Sequence, residues 1–159
     1  MTQPAPSPWY AAYPEPQSEL VNISREEVLE MLKSDVSVPG RDFVLVDLRR
    51  NDFEGGTIRG SINLPAQSLY PTLATVYNLF KASGVRKVIW YCGSSTGRGS
   101  RAARWFADHL AKPEVNDTTM QSLALLGGVR GWANAGHEYV QWMDEYDEAV
   151  WSKGAAAGK

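Results

Sequence analysis

Residues 85–101 read VRKVIWYCGSSTGRGSR, an apolar run that stops at a cysteine and gives way at once to glycine, hydroxyl residues and arginine. The change in composition is abrupt. Val85 to Tyr91 has the length and the β-branched, aromatic character of a strand buried on both faces. Ser100 is the expected cap of a following helix, because Ala102, Ala103, Phe106 and Leu110 share one helical face. A strand, a small-residue loop and a helix form the unit from which parallel α/β sheets are built, and ligands in such sheets gather at the carboxyl ends of strands. Cys92 stands at such an end.

The same alternation continues on either side. Leu20 to Ile23 reads as a short strand, and Ser24 with Glu27 has capping-box spacing before a helix carrying Val28, Met31 and Leu32 and ending near Asp35. Phe43 to Leu48, FVLVDL, reads as a second doubly buried strand. Gly55, Gly56 and Gly60 mark a loop, after which Ile62 to Leu64 forms a strand stopped by Pro65. Leu73, Val76, Tyr77 and Phe80 repeat at helical spacing, with Gly84 as the stop. Leu123 to Leu126 supplies a further strand, closed by Gly127 and Gly128. Tyr139, Trp142, Met143, Tyr146 and Val150 lie three and four apart and predict a C-terminal amphipathic helix, its stripe serving a core or a dimer surface. The expected fold class is α/β, a mostly parallel sheet of about five strands with helices on both faces.

Residues 1–18, with prolines at 4, 6, 8, 14 and 16, are expected to form an extended or disordered arm, which Trp9, Tyr10 and Tyr13 can attach to a surface. Residues 19–152 are expected to make a single domain, and 153–159 a frayed tail. With 43% hydrophobic and 21% charged residues, a soluble globular protein is expected. A net charge of −2 offers no global attraction to nucleic acid or anionic lipid, so an anion site has to be local. The N-terminus lacks a signal-peptide pattern and no stretch approaches the ~18 apolar residues of a membrane span, which makes a cytoplasmic or nuclear location the expectation. A lone cysteine excludes an internal disulfide and any multi-cysteine metal site. His109 and His137 lack ligand spacing, so neither a bound metal nor a bound cofactor is expected.

The loop itself is suited to oxyanion chemistry. Small residues let successive N–H groups curl into an anion nest, to which the following helix adds its positive end. Such a field favours the thiolate, the nucleophilic form of cysteine. Arg98 presents a planar fork able to hold two oxygens of a bound anion and to stabilise charge in a transition state. Cys92 and Arg98 are therefore the expected catalytic pair, and Gly93, Ser94, Ser95, Thr96, Gly97 and Arg98 the expected oxyanion-binding residues. A lone cysteine after a strand is ordinarily a small buried hydrophobe, but glycine, hydroxyls and arginine are not what a core would place next. Arg101 and Arg130, near two strand ends, are candidates for the pocket rim, and Arg104 reads as a surface charge. Asp47 and Arg49 read as an architectural pair, while Asp52 and Glu54 read as solvated loop acids.

VLVDLRRNDFEGGTIRGSINLP at 44–65 and LLGGVRGW at 125–132 resemble the first and late signatures of the rhodanese superfamily, the similarity running over roughly residues 20–135. Within that superfamily, the seven-residue loop from Cys92 to Arg98, followed by Gly99-Ser100-Arg101, is similar to that of the M-phase inducer phosphatases and the related fungal arsenate reductases. Sulfurtransferases of this fold typically have a loop one residue shorter. The resemblance implies attack by Cys92 on a small oxyanion or a phosphoprotein. Three activities stay open: arsenate reductase, protein-tyrosine or dual-specificity phosphatase through a phosphocysteine, and thiosulfate sulfurtransferase through a persulfide. A non-catalytic partner-binding module is a fourth reading, which the intact cysteine and arginine oppose.

Two departures matter: Tyr91 stands where those relatives usually have histidine, and the loop carries no acidic residue. A phosphate ester's departing alkoxide benefits from a general acid, whereas arsenate can lose water using protons on its own oxygens. Arsenate is therefore the expected substrate. With no second cysteine in the chain, release of an adduct on Cys92 falls to an external thiol. The resemblance implies glutathione as that cosubstrate and a glutaredoxin as a possible partner.

Overall fold

The computed structural model describes residues 4–157. Strands β1 (Asn22–Ile23), β2 (Phe43–Asp47) and β3 (Thr57–Ile58), together with helix α1 (Arg25–Lys33), make up the first part of the chain. β4 (Ser61–Asn63), two 3₁₀ turns, α2 (Leu73–Ser83) and β5 (Lys87–Tyr91) lead to the loop, after which come α3 (Arg98–Ala111) and β6 (Gln121–Leu125). The chain closes with α4 (Gly128–Ala133), α5 (His137–Val140), β7 (Met143–Asp144) and α6 (Glu148–Ala157). Five strands form one parallel sheet in the order β1-β6-β5-β2-β4, as expected for the α/β class. β5 lies at its centre, with Asp47 of β2 opposite Tyr91 and Ala124 of β6 opposite Trp90.

Successive residues of a strand face opposite sides, so the apolar runs of β2, β5 and β6 feed two cores. Val44, Val46, Val88, Trp90 and Ala124 pack on one side with α2 and with Ala102, Ala103, Phe106 and Leu110 of α3. Phe43, Leu45, Ile89, Tyr91 and Leu123 pack on the other with Val28, Leu29 and Leu32 of α1 and with Val129 and Trp132 of α4. Ser24 caps α1 as its spacing to Glu27 suggested: Ser24 Oγ accepts from the Glu27 amide at 3.1 Å and donates to the Glu27 carboxylate at 3.2 Å. Gly84 ends α2 in the left-handed region at φ 83°.

Asp47 and Arg49 are architectural. Arg49 donates through Nε and Nη2 to the Asp47 carboxylate, at 3.0 and 2.7 Å, and through Nη1 and Nη2 to the Glu54 and Gly56 carbonyls, at 2.9 and 2.8 Å. Both side chains are buried, and removing one partner of such a pair costs about 3–5 kcal/mol.

Two expected elements differ. Ser100 is not a cap: α3 begins at Arg98 with Gly97 before it, and Ser100 Oγ donates to the Ser95 carbonyl at 2.6 Å. The expected single C-terminal helix is instead α5, β7 and α6. Glu145 at φ 59° breaks the helical path, and β7 pairs antiparallel with β3. The apolar stripe still reaches the core, since Tyr139 and Met143 are buried and Trp142, Tyr146 and Val150 pack against the same cluster.

Residues 4–18 contain no helix or strand but turn at Pro8–Ala11 and at Tyr10–Tyr13 and then lie along α3. Trp105 Nε1 donates to the Pro14 carbonyl at 2.9 Å, and Arg104 Nε to that of Ser18 at 2.8 Å. Asp108 accepts from the Ser18 amide and hydroxyl at 2.7 and 2.6 Å. Arg104 is thus an anchor rather than the free surface charge expected. Among the described residues, no helix is long and apolar enough to cross a membrane.

Candidate active site

Cys92 follows the last residue of β5 and is only 2% exposed, yet it lines an open cavity of about 570 Å³. Its sulfur accepts from the Ser95 amide at 3.1 Å and from the Gly99 amide at 3.4 Å. The second donor is a free N–H of the first turn of α3, so the sulfur occupies the place a capping side chain would take. Two backbone N–H dipoles are thus aimed at the sulfur.

The turn has structural requirements of its own. Ser95 is left-handed at φ 62°, and its buried hydroxyl accepts from the Cys92 amide at 3.3 Å. A Cβ at Gly99 would come within 2.9 Å of the Ser95 side chain, so α3 can approach the loop this closely only with glycine there. Behind the loop, the Val129 and Arg130 amides donate to the Cys92 and Gly93 carbonyls, each at 3.0 Å.

The expected loop residues divide by position. Ser94, Thr96, Gly97 and Arg98 line the cavity with Cys92, the Ser94 and Thr96 hydroxyls lying 2.9 Å apart. Gly93 and Arg130 instead line a separate cavity of about 130 Å³ with Asp52 and Val129, so Arg130 is not part of the Cys92 rim. It was expected near the pocket because it follows a strand end, but its amide packs on the Gly93 carbonyl at the back of the loop. Arg101 does line the Cys92 cavity. Among the described residues, no group of three or more His, Cys, Asp or Glu side chains is placed to hold a metal ion.

Asp52 is not a merely solvated acid. Arg98 donates to its two carboxylate oxygens, Nη1 to Oδ1 at 2.8 Å and Nη2 to Oδ2, in the bidentate arrangement a tetrahedral oxyanion would also accept. The Arg98 guanidinium holds the Asp52 carboxyl down at about 2, and Asp52, with a smaller contribution from Cys92, holds Arg98 firmly charged. Asp52 is therefore a carboxylate at neutral pH and has no proton to give a leaving group.

Tyr91 faces away from the loop. Its hydroxyl lies 2.8 Å from Thr57 Oγ1 and 2.7 Å from Ser61 Oγ, and burial, reinforced by Asp47, pushes its pKa above the usual tyrosine range. It belongs to the Asp47–Arg49 network. Trp9, Tyr10 and Gln67 also line the Cys92 cavity. Only the two aromatics had given any sign of contact, as the apolar groups of a proline-rich arm.

The model of the rhodanese-like domain matches residues 24–135. The chain belongs to the rhodanese-like family. This rhodanese-like protein is 29% identical to arsenical-resistance protein 2 of Saccharomyces cerevisiae over 107 residues, covering 64% of its own length and 82% of the yeast protein. Among solved structures, it is similar to an As-Sb reductase from Leishmania major at 23% identity and a TM-score of 0.59, covering 69% of this chain and 74% of the other. It is also similar to Saccharomyces cerevisiae Ygr203w, described as a homolog of single-domain rhodanese and the Cdc25 phosphatase catalytic domain. There the identity is 20% and the TM-score 0.63, over 83% of this chain and 91% of that one. These two structural likenesses establish the fold.

Proposed function

We propose that this rhodanese-like protein is a cysteine-dependent arsenate reductase in which Cys92 is the nucleophile and the loop to Arg98 holds the oxyanion. The observation that carries the reading is a sulfur facing two backbone donors in the wall of an open cavity, with Arg98 in the same wall and no protonated acid among the groups described there. The likeness to arsenical-resistance protein 2 supports the same choice of oxyanion.

The Cys92 thiolate attacks arsenic and displaces one oxygen as water, the protons coming from arsenate itself, which leaves a sulfur–arsenic(V) adduct. Glutathione thiolate then attacks the Cys92 sulfur, and the sulfur–arsenic electron pair passes to arsenic. Arsenite departs as Cys92 and glutathione form a mixed disulfide, so two thiols supply the two electrons. A glutaredoxin thiol removes the glutathione and restores Cys92. Arg98 and the loop amides hold the oxyanion throughout and stabilise its charge.

A phosphatase acting through a phosphocysteine is the second reading. The cavity beyond the nest favours it, because the aromatic walls Trp9 and Tyr10 suit an aryl leaving group. Assaying arsenate with glutathione and glutaredoxin, an aryl phosphate, and thiosulfate with cyanide in parallel separates the readings. Arsenite formation well above the other two rates is expected. Hydrolysis of the aryl phosphate without thiol, with no arsenite formed, replaces the proposal with the phosphatase.

A further inference from the structure

Arg101 lies one turn into α3 from Arg98 and lines the same cavity as Cys92. It is the second cation of that wall, and a long arginine side chain has many rotamers unless something restrains it. Here the restraint comes from the N-terminal arm. The guanidinium carbon sits 3.5 Å from the centroid of the Tyr10 ring, and Nη1 lies 3.4 Å from the Glu15 carboxylate. Trp105 of the same helix flanks it at 5.8 Å.

Tyr10 is itself held in place. Trp9 meets it edge-on at 5.3 Å and meets Trp105 at 5.9 Å, while Tyr13 packs against both Trp105 and Tyr70. The bonds from Trp105, Arg104 and Asp108 to residues 14–18 fix the arm along α3, the helix that follows the Cys92 loop. Trp9 and Tyr10 then form a wall of the pocket.

We infer that Tyr10 is a positioning residue that holds Arg101 over the mouth of the Cys92 pocket, where it serves as a second cation for the incoming oxyanion. The aromatic face attracts the guanidinium without neutralising it, so Arg101 keeps its charge for the anion. Glu15 is the exposed partner, with 68% of its side-chain surface free, and an entering oxyanion displaces it from Arg101. The inference rests on the oxyanion reading of the loop but not on which oxyanion is turned over.

The test uses full-length protein and inorganic phosphate at low ionic strength. Its readout is the phosphate concentration that half-protects Cys92 from alkylation by iodoacetamide, which needs no turnover. Tyr10→Leu keeps an apolar side chain but loses the aromatic face, and is expected to raise that concentration about threefold, the size of an exposed cation–π contact. Tyr10→Phe keeps the face and is expected to stay near wild type. Arg101→Gln should weaken protection, and adding Tyr10→Leu to it should cost nothing further, because the two changes remove one interaction. Wild-type protection with Tyr10→Leu unchanged, Phe as damaging as Leu, or fully additive effects would overturn this inference alone. A wild-type Cys92 that phosphate never protects overturns the oxyanion reading, and this inference with it.

Discussion

Arg98 carries a carboxylate before any substrate arrives, and that partner shapes what the residue does. Asp52 occupies the fork an oxyanion needs, so binding has to displace or share it. Because the guanidinium holds Asp52 near a pKa of about 2, the pair persists at every pH at which an enzyme of this kind would work. Asp52 is also a like charge beside the incoming anion. Asp52→Asn is therefore expected to lower the KM for arsenate about fivefold at low salt, on the order of 1 kcal/mol, with the gain fading as salt rises. An unchanged or higher KM would mean that Asp52 orients Arg98 rather than competing for it. Sequence reading could not reach this pair: 46 positions separate the two residues, and only the adjacency of β2 and β5 brings them together. That Cys92 and Arg98 share a cavity could be expected from sequence, because seven consecutive residues of one loop carry both.

At the scale of elements, the loop is held from behind by the start of α4. Gly128 adopts φ 58°, and a Cβ there would fall 2.5 Å from the Gly93 carbonyl oxygen and 2.6 Å from that of Cys92. Gly128→Ala is expected to destabilise the fold by about 1–3 kcal/mol and to weaken phosphate protection of Cys92, because the loop has to shift. Denaturant unfolding and the protection assay check the two effects separately. The glycine pair was readable as a strand stop, but its contact with the loop depends on β6 lying beside β5. Ser100 was misread for a related reason: the Gly99 amide at the start of α3 faces a sulfur contributed by the preceding loop, which no local capping rule includes.

A second element-scale expectation concerns α2. Burial alone would raise the Asp117 carboxyl, but hydrogen bonds from Tyr77 at 2.7 Å, Thr119 at 2.8 Å and Lys81 at 3.0 Å hold it well below the usual range. A carboxyl depressed in the folded state stabilises the protein above its unfolded pKa of about 3.9, and that contribution is lost as pH falls through the folded value. Asp117→Asn should therefore be less stable than wild type at neutral pH, by roughly 1–3 kcal/mol for the unsatisfied partners. The gap should narrow as pH falls below about 4. A difference that does not change with pH would point to packing instead of charge.

For the whole molecule, the central sheet and its two cores follow from doubly buried apolar runs, which is why β2, β5 and β6 and the helices between them were legible. The C-terminal region was not. Its stripe at spacings of three and four is also compatible with short pieces separated by left-handed breaks, and Glu145 in that conformation has no sequence signature. The arm was opaque for the opposite reason, since prolines declare what it cannot form and say little about where it goes. Fold and family together place one thiol in a donor-lined loop, and the account stands on that thiol handling an oxyanion with outside help. The most direct test is a single turnover with arsenate and glutathione and no glutaredoxin, measuring arsenite and the mass of the protein. Arsenite should form in step with a glutathione mixed disulfide on Cys92, and neither should form without glutathione or in Cys92→Ser. Equal arsenite from Cys92→Ser, or arsenite with no modification of Cys92, would contradict the account.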